Sequence, residues 1–198
     1  MLFLRACWAS EMACLRIALA AMLLCLGAAA SATAQQPAGS AIHRPTIFAP
    51  DDENRGFDDA TPPLDLVLDA LLNTAEAKHD GETGEALAKL DRESQRKLFQ
   101  VVRVDLGNAK EEDYIALGGG PMTGADNNWF WIIGISEGKA RVLLFTNGLS
   151  VNILRHKTNG YYDVKESWRG NSGWGSRFYQ YTSSTYKLVR KSWHNAKP

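Results

Sequence analysis

The run Trp129-Phe130-Trp131-Ile132-Ile133-Gly134-Ile135, the turn signal Glu137-Gly138, the run Arg141-Val142-Leu143-Leu144-Phe145, the turn signal Asn147-Gly148 and the run Val151-Asn152-Ile153-Leu154 together decide the fold class. Each run is rich in β-branched and aromatic residues and too short for an ordinary helix. Connections this brief join antiparallel neighbours, because a parallel pair needs a crossover of a dozen or more residues. The same rhythm extends outward through Val102 to Leu106, Tyr114 to Leu117, Tyr161 to Trp168, Arg177 to Tyr181 and Tyr186 to Trp193. Turn signals at Gly118-Gly119-Gly120-Pro121, Asn159-Gly160 and Thr182-Ser183-Ser184 separate them. Residues 100–198 are therefore predicted to form an antiparallel β-meander of about eight strands.

Upstream the hydrophobic period changes. Leu64, Leu68, Leu71 and Leu72 recur at three- and four-residue spacing behind Pro62-Pro63, and Asp80-Gly81 offers a stop. A second helix is expected from about Gly84 to Phe99, with Ala86, Leu87, Leu90 and Leu98 apolar. The two would form a helical hairpin over 64–99. The expected class is α+β, a single domain spanning 64–198.

Five of the seven prolines (37, 45, 50, 62 and 63) lie in residues 35–63, which read as an extended linker on which Ile47 and Phe48 could dock. Before it, Ile17 to Ala30 is an uncharged apolar run behind Arg16, and Ala32-Thr33-Ala34 fits a small-x-small cleavage site. Residues 1–34 are read as a signal peptide, with Met1 or Met12 as its start. The run has 14 residues, short of the roughly 20 needed to span a bilayer. The expected location is periplasmic or secreted, with no stable membrane insertion after cleavage. Cys7, Cys14 and Cys25 all fall in this leader, so the mature domain is cysteine-free, which excludes thiol catalysis, thiolate metal sites and disulfides.

The chain carries 22 Lys plus Arg against 22 Asp plus Glu, which argues against a nucleic-acid binder. Residues 35–101 hold 7 basic and 13 acidic side chains, residues 102–198 hold 13 and 8, so an acidic helical part precedes a mildly basic sheet. No HExxH, HxH or GxxxxGK[ST] element is present, so zincin and phosphate-loop chemistry have no footing. Gly134-Ile135-Ser136-Glu137-Gly138 spells GxSxG but runs from a strand into the Glu137-Gly138 turn and on to another strand, whereas a nucleophile elbow needs a strand-to-helix turn. His156 stands between Arg155 and Lys157 and reads as a polar residue at a strand end. Asp163 and Glu166 fall on opposite faces of one strand and cannot act as a glycosidase pair.

Asp105-Leu106-Gly107-Asn108-Ala109-Lys110-Glu111-Glu112-Asp113-Tyr114-Ile115 resembles the strand, acidic loop and strand unit of FG-GAP-like secreted bacterial domains, and Asn128-Trp129-Phe130-Trp131 and Asn159-Gly160-Tyr161-Tyr162-Asp163-Val164 extend the resemblance over about residues 100–190. It implies a calcium-type loop with Asp105 and Asp113 at its first and last ligand positions. Gly107 and Ala109 stand where that pattern supplies side-chain oxygens, and calcium takes six to eight oxygen ligands. A loop without its ion, and no cofactor, is the expectation.

For recognition, Trp174 stands out within Arg169-Gly170-Asn171-Ser172-Gly173-Trp174-Gly175-Ser176-Arg177, read as a flexible loop. Arg169, Arg177, Tyr179 and Tyr181 complete the candidate surface, since Trp and Tyr offer an apolar body with a polar tip. The function expected is an exported, non-enzymatic binding domain of the bacterial envelope, engaging a protein or glycan partner. Two alternatives are a cell-wall or polysaccharide hydrolase and a structural accessory domain without ligand.

Overall fold

The computed structural model of the protein describes residues 46–51, 53–124 and 127–196. Four short helices, α1 (Asp65–Leu72), α2 (Ala75–His79), α3 (Gly81–Ala88) and α4 (Arg92–Lys97), precede most of the strands. Strand β1 (Ile47–Phe48) comes before them. After them come β2 (Phe99–Val104), β3 (Glu112–Gly118), β4 (Asn128–Ser136), β5 (Lys139–Gly148), β6 (Ser150–Thr158), β7 (Tyr161–Gly170), β8 (Gly173–Tyr181) and β9 (Tyr186–Asn195). The class is α+β, dominated by antiparallel strands. The expected leader, residues 1–34, lies outside the described residues.

The meander divides into two sheets. One is four-stranded, β2-β3-β4-β5, and the other five-stranded, β1-β6-β7-β8-β9, every pair being antiparallel. Seven of the eight runs predicted as strands lie within β3 to β9, and the first, Val102 to Leu106, overlaps β2 and overruns its end by two residues. The division has a cause in β4, where Phe130 and Ile132 enter one core while Trp129, Trp131 and Ile133 enter another. A strand whose two faces are both covered reads as a continuous apolar run, and it becomes the middle of three layers.

Between the sheets, Phe130, Ile132, Ile115, Leu117 and Val102 pack against Val151, Val164, Tyr179, Tyr181 and Tyr186. On the other face of the four-stranded sheet, Trp131 is fully buried and packs edge-on against Phe99, at a ring separation of 5.6 Å, and against Trp129, at 5.8 Å. Val67, Leu68, Leu71 and Leu87 of the helices close this second core.

The helical hairpin is replaced by four one- or two-turn helices. Thr74 caps α2 by accepting from the Ala77 amide, and Asp91 caps α4 by accepting from the Ser94 amide. Each such side chain satisfies a helix-start donor and so begins a new helix where periodicity alone would continue the old one. Leu64, expected on the buried stripe, is the α1 N-cap residue and 61% exposed. Arg92 bonds Asp65 and Asp69, and Arg96 bonds Asp65, tying α4 to α1.

The segment expected as a linker is in part structural. Ile47 and Phe48 pair with Asn152 and Val151 of β6, Thr61 bridges to Val101 of β2, and Phe48 and Phe57 are buried in the inter-sheet core, their rings 5.9 Å apart. Proline bars helix here but permits an edge strand of two residues.

Candidate binding surface

Trp174 belongs to a strand, correcting the loop reading. Asn171 and Ser172 alone turn the chain between β7 and β8, and Trp174 pairs with Arg169 on one side and His194 on the other. The glycines around it serve close packing between strands. A Cβ at Gly175 would stand 2.7 Å from two atoms of the Trp168 indole, and one at Gly170 would stand 3.1 Å from the Trp193 ring.

Register then explains the aromatic platform. Gly175 pairs with Trp168 of β7 and with Trp193 of β9, so the two indoles flank a position without a side chain and meet over it, with ring centroids 4.7 Å apart. Adjacent strands lie about 4.8 Å apart, so rings two strands apart meet only where the residue between is this small. Arg177 lies 5.1 Å and the Lys191 ammonium 4.9 Å from the Trp168 ring. On the opposite face Trp174, 51% exposed, stacks on His194 at 4.2 Å, and Arg190 lies 3.9 Å over Phe178.

The five candidate residues are thus separated. Trp174 and Arg169 stand side by side on the outer face. Arg177 lies on the inner face beside the tryptophan platform. Tyr179 and Tyr181 are buried, 8% and 6% exposed, and belong to the core. Alternation along β8 keeps both tyrosines on the inner face with Arg177, farther along the strand and within the inter-sheet core. The Tyr181 ring stacks on Tyr161 at 3.7 Å.

Arg177 is held from below. Its Nη1 donates to both oxygens of Glu166 at 3.0 Å each, and the Tyr179 hydroxyl donates to Glu166 Oε2 at 3.2 Å. Glu166 is fully buried, and Gly148 makes room for it, since a Cβ there would stand 2.6 Å from Glu166 Oε1. Burial pushes the Glu166 carboxyl up, against the pull of Arg177.

The acidic loop forms a second polar cluster. Asp105 Oδ1 accepts from the Gly107 amide at 2.7 Å, and Asp113 Oδ2 accepts from the Leu106 amide at 3.2 Å. Arg141 of β5 donates to Glu111 at 2.7 Å and to the Tyr181 hydroxyl at 3.2 Å. Burial, with Glu111 and Asp105 nearby, pushes Asp113 up to about 7. Among the described residues no group of three His, Cys, Asp or Glu is placed to hold a metal ion. The Lys157 ammonium reaches into the loop, 3.4 Å from the Gly107 carbonyl.

A concavity of about 550 Å³ lies between α2, α3 and the four-stranded sheet, with Glu76, His79, Asp80, Met122, Trp129 and Phe145 among its lining residues. His79 and Asp80 are exposed there, and no hydrogen bond between these acids and His79 is formed among the described residues.

The sequence reading missed Trp168, Trp193, Lys191 and His194 as surface residues. The signal for them is cross-strand: a tryptophan placed opposite glycine, which becomes visible only once Asn171-Ser172 fixes the register. Among the described residues, no helix is long and apolar enough to cross a membrane. No protein-family model, curated protein or solved structure matches the chain.

Proposed function

We propose that the protein is a non-enzymatic binding domain, exported to the bacterial envelope, whose contact surface is the end of the five-stranded sheet formed by β7, β8 and β9. The observation that carries this reading is the partly exposed aromatic and cationic platform of Trp168, Trp193, Arg177 and Lys191, backed by Trp174 and His194 on the other face. Aromatic and arginine side chains dominate the energetics of protein interfaces. Its position on strands, with Arg177 anchored by a buried carboxylate, holds those groups in place before a partner arrives, which lowers the ordering cost of binding.

Hydrolysis fits less well. A glycosidase needs two carboxyl groups open to the sugar. Asp113 is 2% exposed, the Glu111 side chain 9% and Glu166 not at all, so the acids with unusual surroundings are sealed from a polymer.

Capture of envelope components by the purified protein tests the reading. The protein carrying Trp174→Ala and Trp193→Ala together, both partly exposed, is expected to keep its circular-dichroism spectrum and lose capture. Undiminished capture by that variant would count against the proposed surface.

A further inference from the structure

We infer that the outer edge of β9 receives an acidic, extended segment of a partner polypeptide, which adds to the five-stranded sheet as a sixth strand beside Arg190 to Asn195. This rests on the proposed binding role and goes beyond it by naming the kind of partner and its mode of docking.

The edge is open. β9 is the last strand of its sheet, ten residues long, and among the described residues it pairs only with β8. The backbone N–H and C=O groups directed away from β8 form a template for another strand, the mode by which extended peptides add to sheets. The register shift between Phe178↔Arg190 and Tyr179↔Leu188 leaves Val189 as an extra residue. Beyond this bulge, Arg190 to Asn195 runs in unbroken register with β8 from Phe178 back to Gly173, a regular edge of roughly 20 Å.

Charge selects the occupant. No Asp or Glu follows Glu166 in the chain, whereas Arg169, Arg177, Lys187, Arg190, Lys191 and Lys197 do. On β9 itself Lys187, Arg190 and Lys191 are exposed and no acid is present. A second copy pairing β9 against β9 would bring only cations together across the new ladder, and like charges placed opposite are destabilising. An acidic strand meets Arg190 on one face of the sheet and Lys191 on the other, each already held over an aromatic ring.

Cations on an edge also serve simply to keep strands from aggregating. That role alone does not account for Leu188 and Val189, each 54% exposed, or for Trp193, 36% exposed. A protected edge gains nothing from three uncovered apolar side chains, whereas an incoming strand with apolar residues beyond its acids would cover Trp193.

The test uses purified protein and ten-residue capped peptides: one alternating Val and Thr around a central Glu-Glu pair, the same with Lys-Lys, and the acidic one with N-methylated backbone positions. The acidic peptide is expected to bind, to slow amide hydrogen exchange within Arg190–Asn195, and to lose most of its affinity on N-methylation. Arg190→Glu with Lys191→Glu, both exposed, is expected to weaken the acidic peptide at least about tenfold and to admit the Lys-Lys peptide. Absence of binding by the acidic peptide would overturn the inference. So would slowed exchange of the β9 amides from self-association alone. An anionic polysaccharide, polygalacturonate, is the third arm: if it binds and the peptide does not, strand addition is wrong while the binding role stands.

Discussion

Arg177 and Glu166 face each other across the β7–β8 register, and one guanidinium nitrogen lies 3.0 Å from each carboxylate oxygen. The pair joins what is buried to what is exposed: Glu166 is fully buried, while the Arg177 side chain is 28% exposed beside Trp168.

Removing one partner leaves the other uncompensated. Arg177→Ala strands a buried carboxylate and is expected to cost about 3–5 kcal/mol in urea unfolding. Glu166→Gln with Arg177→Leu is expected to recover much of that loss, because a neutral pair of similar volume carries no buried charge. A double variant as unstable as the single one would show that packing, and not charge, is what Arg177 supplies.

Asp113 gives the pH dependence a definite sign. Its carboxyl titrates near 4 when unfolded and is pushed up to about 7 in the fold. Between these values the folded state holds a proton that the unfolded chain has released, so stability falls as pH rises from about 4 to about 7 and then levels. Asp113→Asn is expected to remove that slope and to raise stability at pH 8 by roughly 2–4 kcal/mol. A Cβ at Gly134 would lie 2.6 Å from Glu111 Oε2 and 3.6 Å from Asp113 Oδ1, two buried oxygens without hydrogen-bond partners that converge on one glycine. Urea midpoints from pH 4 to 8 check it. An unchanged slope in the variant would assign the dependence to other groups.

Gly175→Ala is expected to push Trp168 off Trp193, since the added methyl cannot share the space beneath the indole. Overpacking of this kind costs about 1–3 kcal/mol. The emission of these partly exposed tryptophans should shift with it, and an unchanged spectrum would mean that the platform tolerates a side chain at its centre.

Phe48→Ala is expected to cost about 3–5 kcal/mol, as for other fully buried aromatic rings. A free linker would register no change, so the same urea experiment separates a built-in strand from a tether.

Strand positions were legible in the sequence because alternation and turn dipeptides are local signals. The division into two sheets was not, since it depends on which faces are covered, and only the unbroken apolar run of β4 hints at burial on both sides. The helical hairpin failed for a related reason: the Thr74 and Asp91 caps outrank a continuous apolar period, and caps are short-range features read most easily when a helix is expected to start. Of the five proposed contact residues, Trp174 and Arg169 share a face in register. Tyr179 and Tyr181 alternate onto the same inner face as Arg177 and go to the core because their stretch of β8 packs in the inter-sheet cluster. Trp193 carries no local mark and emerges only through its pairing with Gly175.

The central claim, that partners meet this protein at the β7–β9 end of the sheet, is tested most directly by placing a photo-crosslinking amino acid in the protein expressed in its native cell, at position 174 or, as a control, at position 64. Both sites are exposed, 51% and 61%, and position 64 is the α1 cap in the helical layer. Irradiation is expected to give a discrete adduct from position 174 and none from position 64. The same adduct from position 64, with none from 174, would contradict the account.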